Sequence, residues 1–213
     1  MTRYLEDTAT ERLEADEREG LYGPLAEAVR ALVDASIRTE VDDHVIRQAT
    51  ADLERIAGHL RAHQLPGSYG VHSEAPGRRR TWGSPVIGVR NPIAPPLTLQ
   101  HAPDGLVWSE FRVGTAYEGP PGRLHGGMAA LILDHVLGEA VSASGHWGLT
   151  GTLTLRYRRG TPLGRLRTEA RIDRVEGRKA YVVGSIADDE GITVEAEAIF
   201  ILPKGYVHPD ATA

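Results

Sequence analysis

Cysteine is absent from all 213 residues, which excludes a disulfide framework, a thiolate metal site and a thiol nucleophile. Long apolar runs are missing too. The first 20 residues, MTRYLEDTATERLEADEREG, are charged and carry no secretion-signal core, and no later stretch approaches the length of a membrane span. A cytoplasmic protein with no membrane partner is therefore expected. Excess positive charge is also lacking: the net charge is −5, and the one basic run, Arg78 to Arg80, is short, so no nucleic-acid partner is expected. The nucleophile elbow G-x-S-x-G, the phosphate loop G-x-x-x-x-G-K-[ST] and the zinc motif H-E-x-x-H do not occur, which removes the best support for serine hydrolase, nucleotide hydrolase and zinc protease chemistry. His59 and His63 stand one helical turn apart with no third ligand in view; they read as a solvated face, and no metal is expected.

What is present is a chain with 41% apolar residues, enough for a full core. Residues 24–38 and 42–63 place apolar side chains at helical spacing, the second run after Asp42 and Asp43, so residues 1–64 are expected to form a helical hairpin extension. From 65 to 96 the texture turns to PGSYG, APGRRR, SPV and NPIAPP, a linker in which Pro and Gly forbid long regular elements. Residues 97–205 alternate apolar and polar positions between Gly- and Asp-rich turns: LTLQ, LVWSEFRVG, GLTGTLTLRYRR, RLRTEARIDRVEG, KAYVVGSIADDEG and ITVEAEAIFIL. Residues 206–213 read as a tail. One helix, roughly 126 to 144, interrupts the strands and is apolar nearly all round, so a curved antiparallel sheet is expected to wrap it. This order is that of an α+β hotdog fold.

The stretch EGPPGRLHGGMAALILDHVLGEAV (118–141) concentrates the chemistry. Gly126 and Gly127 open the helix, where unpaired N–H groups and the positive end of the dipole meet and no Cβ hinders a ligand oxygen. That is the raw material of an oxyanion hole. Asp134, nine residues past His125, sits among Leu131, Ile132, Leu133, Val136 and Leu137, where an unpaired charge is costly. The alternative is a carboxylate satisfied by structural hydrogen bonds; the glycine pair upstream favours a functional one. His125 reads as a residue that shapes the turn, and His135 and Glu139 as an i, i+4 pair.

HGGMAALILD, with PPG ahead of it and GLTGTLTLRYRRGTPLG behind it, resembles the hotdog-fold acyl-CoA thioesterases of the phenylacetate-pathway type, over about residues 97–202. The resemblance implies hydrolysis of an acyl-CoA, with Asp134 as base or nucleophile, Gly126 N–H as donor to the thioester carbonyl, and Thr150 positioning water or the carboxylate. It also implies a homo-oligomer whose site is shared across a dimer interface, and no cofactor beyond the coenzyme A of the substrate. Arg156 and Arg158 are candidates for the coenzyme's phosphates, with a solvated outer sheet face as the equal alternative. One departure stands out: many relatives carry Asn or Gln six residues before the His, where this chain has Gly119 beside Glu118. Two other functions fit the same fold, a hydratase or dehydratase of enoyl-CoA and a non-catalytic acyl-CoA-binding protein. The first would call for a catalytic His in a hydratase segment, and the second for loss of the acid.

Overall fold

Ala9 to Glu19 are rich in Glu, Arg, Leu and Ala, and good helix formers of this kind extend the first helix well upstream of the expected start at residue 24. In the computed structural model α1 runs Ala9–Arg38, straight through Pro24. The structure describes residues 9–67, 72–75, 78–80, 82–95, 97–146 and 148–204, with backbone alone for 9–16, 72–75 and 78–80. The Arg78 to Arg80 side chains and the 206–213 tail fall outside the described residues. The chain divides into two compact units, Met1–Ile93 and Ala94–Ala213.

In the first unit, α2 (Asp43–Arg61) follows α1 after a short connection, with Asp43 in its first turn and His59 and Arg61 in its last, each charge complementing the dipole at its own end. None of its residues is buried. The remainder of the unit is a small antiparallel pair, β1 (His72–Ala75) with β2 (Arg78–Arg80), and then a series of turns. Trp82 and Val86 are buried there. Tyr22 lies 6.1 Å from the Trp82 ring, and Arg90 stacks over Tyr22 at 3.7 Å. Gly88 is obligatory, because a Cβ would stand 2.4 Å from Ser84 O.

The second unit is built on one six-stranded antiparallel sheet. Its strands are β3 (Gln100–His101), β4 (Val107–Val113), β5 (Leu149–Tyr157), β6 (Gly164–Glu176), β7 (Lys179–Asp188) and β8 (Gly191–Ile201), in the spatial order β3-β4-β6-β7-β8-β5. Of the LTLQ segment only the last residue pairs; Leu97 N instead closes a turn on Pro95 O. Tight turns at Gly177 and Gly191, both at positive φ, join β6 to β7 and β7 to β8. Helix α3 (Gly126–Ala143) lies across the middle of the sheet and packs chiefly on β6 and β7. Ile132, Leu133, Val136 and Leu137 of α3 and Leu166, Ile186 and Val194 of the sheet are all essentially inaccessible and form the core of the unit.

The sheet covers α3 on one side only: Met128, Ala130, Leu131, Asp134, His135 and Gly138 are half-buried. The apolar-all-round composition exceeds what a single copy of the sheet can cover. Strand β5 tells the same story, as an edge whose Leu149 is 71% and Tyr157 54% exposed. No helix among the described residues is long and apolar enough to cross a membrane.

Candidate active site

The loop ahead of α3 is held by its own backbone. Tyr117 O accepts from His125 N at 2.9 Å, Arg123 O accepts from Gly119 N at 2.9 Å, and Leu124 N donates to Thr161 O at 2.9 Å. Glu118 spends its carboxylate on Gly122 N, at 2.6 Å, with Gly122 at φ +69. Gly119 packs against the His125 backbone so closely that a Cβ would lie 2.9 Å from His125 Cα. A side chain at 119 is therefore excluded by this loop, which explains the departure from Asn or Gln. His125 itself caps α3: its Nδ1 accepts from Gly127 N at 3.0 Å. The reading of His125 as a turn-shaping residue agrees with this geometry.

Capping by His125 divides the two glycine N–H groups. Gly127 N–H is consumed, whereas Gly126 N–H, first in the helix, has no intrahelical acceptor by position and no backbone acceptor among the described residues. Gly126 O is fixed from the other side, accepting from Tyr157 Oη at 2.9 Å. Tyr157 had no role in the sequence reading. It holds the first peptide of α3 against β5.

Two turns along, Asp134 Oδ1 accepts from Thr150 Oγ1 at 2.8 Å. Asp134 is half-buried in one copy of the chain, and its hydrogen-bond partner is the Thr150 that the resemblance named for positioning water or the carboxylate. The Asp134–Thr150 contact depends on a bulge. Tyr157, Leu155 and Leu153 pair with Val194, Ala196 and Ala198, all buried on the α3 side; the register then slips between Thr150 and Thr152, and Thr150 pairs with buried Phe200. Strict alternation from Tyr157 would send Thr150 away from the helix. The extra residue in β5 turns it back.

Gly151 makes the bulge possible, since a Cβ would sit 3.0 Å from Ile201 Cγ1 and 3.2 Å from Ile199 O. Gly151→Val is accordingly expected to cost about 1–3 kcal/mol by overpacking and to pull the Thr150 hydroxyl off Asp134. Chemical denaturation measures the first effect. Loss of Thr150 as a protected hydroxyl partner, seen in the Asp134 carboxyl NMR shift, measures the second.

Arg156 and Arg158 are on the opposite face, where Arg156 pairs with Glu195 in register and Arg158 donates from Nε at 2.9 Å and Nη2 at 2.6 Å to Glu195 Oε2. Neither is brought near Asp134 or Gly126. The neighbouring Arg159 is committed to Asp188, and that hydrogen bond lowers the Asp188 carboxyl to a pKa of about 2.

The expected His135–Glu139 pair does not form. Glu139 instead faces His101, at 3.6 Å, and the buried His135 Nε2 has no hydrogen-bond partner among the described residues. Burial pushes the His135 imidazole below its usual pKa, against the opposing pull of Glu139 and Asp134. A base with a depressed folded-state pKa is protonated first in the unfolded chain, so stability is full above about pH 6.5 and is lost as the pH falls from there through the lower folded-state pKa. Thermal melts should therefore drop between neutral and mildly acid pH, and His135→Leu should flatten that slope.

The thioesterase superfamily profile matches residues 121–195 of the chain, the stretch from the loop before α3 to the middle of β8. A crystal structure of a thioesterase superfamily protein superposes with a TM-score of 0.77 at 35% identity, covering 84% of this chain and 94% of that one. Among curated proteins, the chain is 34% identical over 94 residues to acyl-coenzyme A thioesterase THEM4 of Xenopus laevis, covering 43% of this chain and 42% of the relative. It is 26% identical over 94 residues to acyl-coenzyme A thioesterase THEM5 of Homo sapiens, covering 43% and 38%. The chain thus spans less than half the length of these curated relatives. Among the described residues no group of His, Asp or Glu is arranged to hold a metal ion.

Proposed function

This chain belongs to the thioesterase superfamily, and on that premise we propose that it hydrolyses acyl-CoA thioesters to the free acid and CoA. The observation that carries the proposal is the pairing of a carboxylate held by a hydroxyl, Asp134 with Thr150, with an uncommitted N–H at the start of the same helix, at Gly126. Thioester hydrolysis asks for little more than these. The carbonyl oxygen becomes an oxyanion that needs a donor, water must give up a proton, and the thiolate leaves readily.

In the general-base route Asp134 takes a proton from water as the water oxygen bonds to the carbonyl carbon. The oxyanion rests on Gly126 N–H, and as it collapses the C–S bond breaks and the thiolate leaves to be protonated. In the nucleophilic route Asp134 attacks first, expelling the thiolate and forming a mixed anhydride that water then opens. Thr150 orients the carboxylate in both.

Gly126 and Asp134 are eight residues apart, about 12 Å along one helix axis at 1.5 Å per residue, too far for both to reach one carbonyl. The reading therefore includes a homodimer in which Asp134 of one copy faces Gly126 of the other. The half-buried side of α3 and the open edge of β5 support it, since an open edge invites pairing with a second copy. Within the superfamily the His-Gly-Gly and Asp spacing favours the phenylacetate-pathway type, and the cysteine-free composition suits the cytoplasm. A hydrolysis screen over short, medium, long and aryl acyl-CoAs tests the activity. Absence of turnover on every member, with tight binding retained, would instead favour an acyl-CoA-binding protein.

A further inference from the structure

The first unit carries a feature that thioester chemistry does not use. Ile46, Ala49, Leu53, Ile56 and Leu60 follow one another along α2 at alternating steps of three and four residues, the a/d repeat of a coiled-coil seam. All five are exposed: Ile46 43%, Leu53 40%, Ile56 46% and Leu60 52%, with Ala49 exposed as well. A surface helix normally spends such a stripe on a core. Among the described residues nothing covers this one, whereas α1 buries Ala26 and places Tyr22 against Trp82.

We propose that α2 pairs antiparallel with α2 of a second copy of this chain. The charges on the helix select that occupant. Its first turn is acidic, at Asp43, and its last turn basic, at His59 and Arg61, so an inverted copy brings unlike ends and opposed dipoles together, and a parallel copy brings like ends together. Side-chain sizes select the register. With Leu53 opposite Ile56 of the second copy, and the reverse, small Ala49 falls opposite large Leu60, and Ile46 at the end of the stripe falls opposite His63. In that register Asp52, flanking the seam and held in place by Arg55 at 2.7 Å and Gln48 at 3.3 Å, lies beside His59 of the second copy. The alternative antiparallel register, one heptad shifted, sets Asp52 against itself and Leu60 against Asp42.

The native absence of cysteine makes the test clean. Full-length chains carrying Asp52→Cys and His59→Cys, with distinguishable tags, are mixed at micromolar concentration under mild oxidation. Both substitutions are on the exposed helix surface, and far-UV circular dichroism confirms that helix content is kept. The mixed disulfide should exceed either homodisulfide by roughly tenfold, as expected when pairing raises the effective concentration of one pair of sites alone. Adding Leu53→Glu to both chains should abolish that excess. The proposal is overturned if the homodisulfides form as readily as the mixed one, if Leu53→Glu leaves the yield unchanged, or if no cross-link forms. The last result would assign the stripe to another segment or another protein. None of these outcomes depends on thioesterase activity, which is scored separately on the same preparations.

Discussion

Replacing Asp134 by Asn is expected to lower acyl-CoA hydrolysis by roughly 10²- to 10⁴-fold, the range typical for removal of a general base or nucleophile. The change keeps the side-chain shape and an oxygen that can accept from Thr150 Oγ1, 2.8 Å away in the native protein, so the fold and the β5 register should survive. What disappears is the negative charge that would draw a proton from water or attack the carbonyl carbon. Because α3 places Asp134 among apolar residues on its half-buried side, loss of that charge also removes a desolvation cost in the proposed dimer, and the melting temperature should hold or rise slightly. The loss should appear in kcat more than in KM, since the carboxylate touches the reacting atoms and not the coenzyme. Wild-type turnover by Asp134→Asn on the best substrate, with reduced stability, would falsify the site assignment and leave Asp134 a structural carboxylate. Single turnover in heavy-oxygen water separates the two routes: label entering the Asp134 carboxylate marks the nucleophile.

The strands from β4 to β8 were legible because apolar and polar residues alternate over most of their length and their turns carry glycine at positive φ, as at Gly177 and Gly191. The contact that matters most was less so. Period-two alternation counted back from Tyr157 places Thr150 on the wrong face, and only the register slip between Thr150 and Thr152 brings it to Asp134. A glycine inside a strand, here Gly151, is the signal of such a bulge, but which way a bulge turns the chain is decided by the partner strand. Tyr157 carries no such signal, since its hydroxyl meets a backbone carbonyl and no sequence motif marks that. The composition of α3 told correctly that the helix is an interior one, yet composition does not say whose interior. With one sheet the apolar side from Ile132 to Val141 is covered and the Asp134 side is not. Gly119, a plain departure from the family pattern as sequence, becomes a steric requirement once the His125 backbone is seen to pass beneath it.

Gly126→Ala should separate catalysis from folding more sharply still. A Cβ at this position would meet the Tyr157 ring and hydroxyl at 3.4–3.5 Å, ordinary contact distances, and alanine is the better helix former by close to 1 kcal/mol in a helix interior. Stability should therefore be level or improved. The methyl group would stand where a thioester carbonyl oxygen must approach to reach the Gly126 N–H, and removing one oxyanion donor typically costs about 10²- to 10³-fold in kcat. Gly127→Ala gives the contrast, because Gly127 N–H is already bound to His125 Nδ1 at 3.0 Å and is not available to a substrate. Its Cβ would press on that imidazole at 3.1 Å, so the expected penalty falls on stability, with a smaller effect on turnover. If Gly126→Ala turns over at the native rate and Gly127→Ala does not, the oxyanion donor has been assigned to the wrong glycine. If instead the two variants unfold alike with activity tracking the folded fraction, the helix start serves packing and the oxyanion is stabilised elsewhere. Mixed dimers give the strongest form of the test. A preparation of Gly126→Ala chains is combined with Asp134→Asn chains, so that a heterodimer retains one intact pairing of Asp134 with Gly126 across the interface. Recovery toward about a quarter of the native activity on equal, random mixing, half of the dimers being heterodimers with one of their two sites intact, is the result expected of a shared site, and no arrangement that draws both groups from one chain restores any.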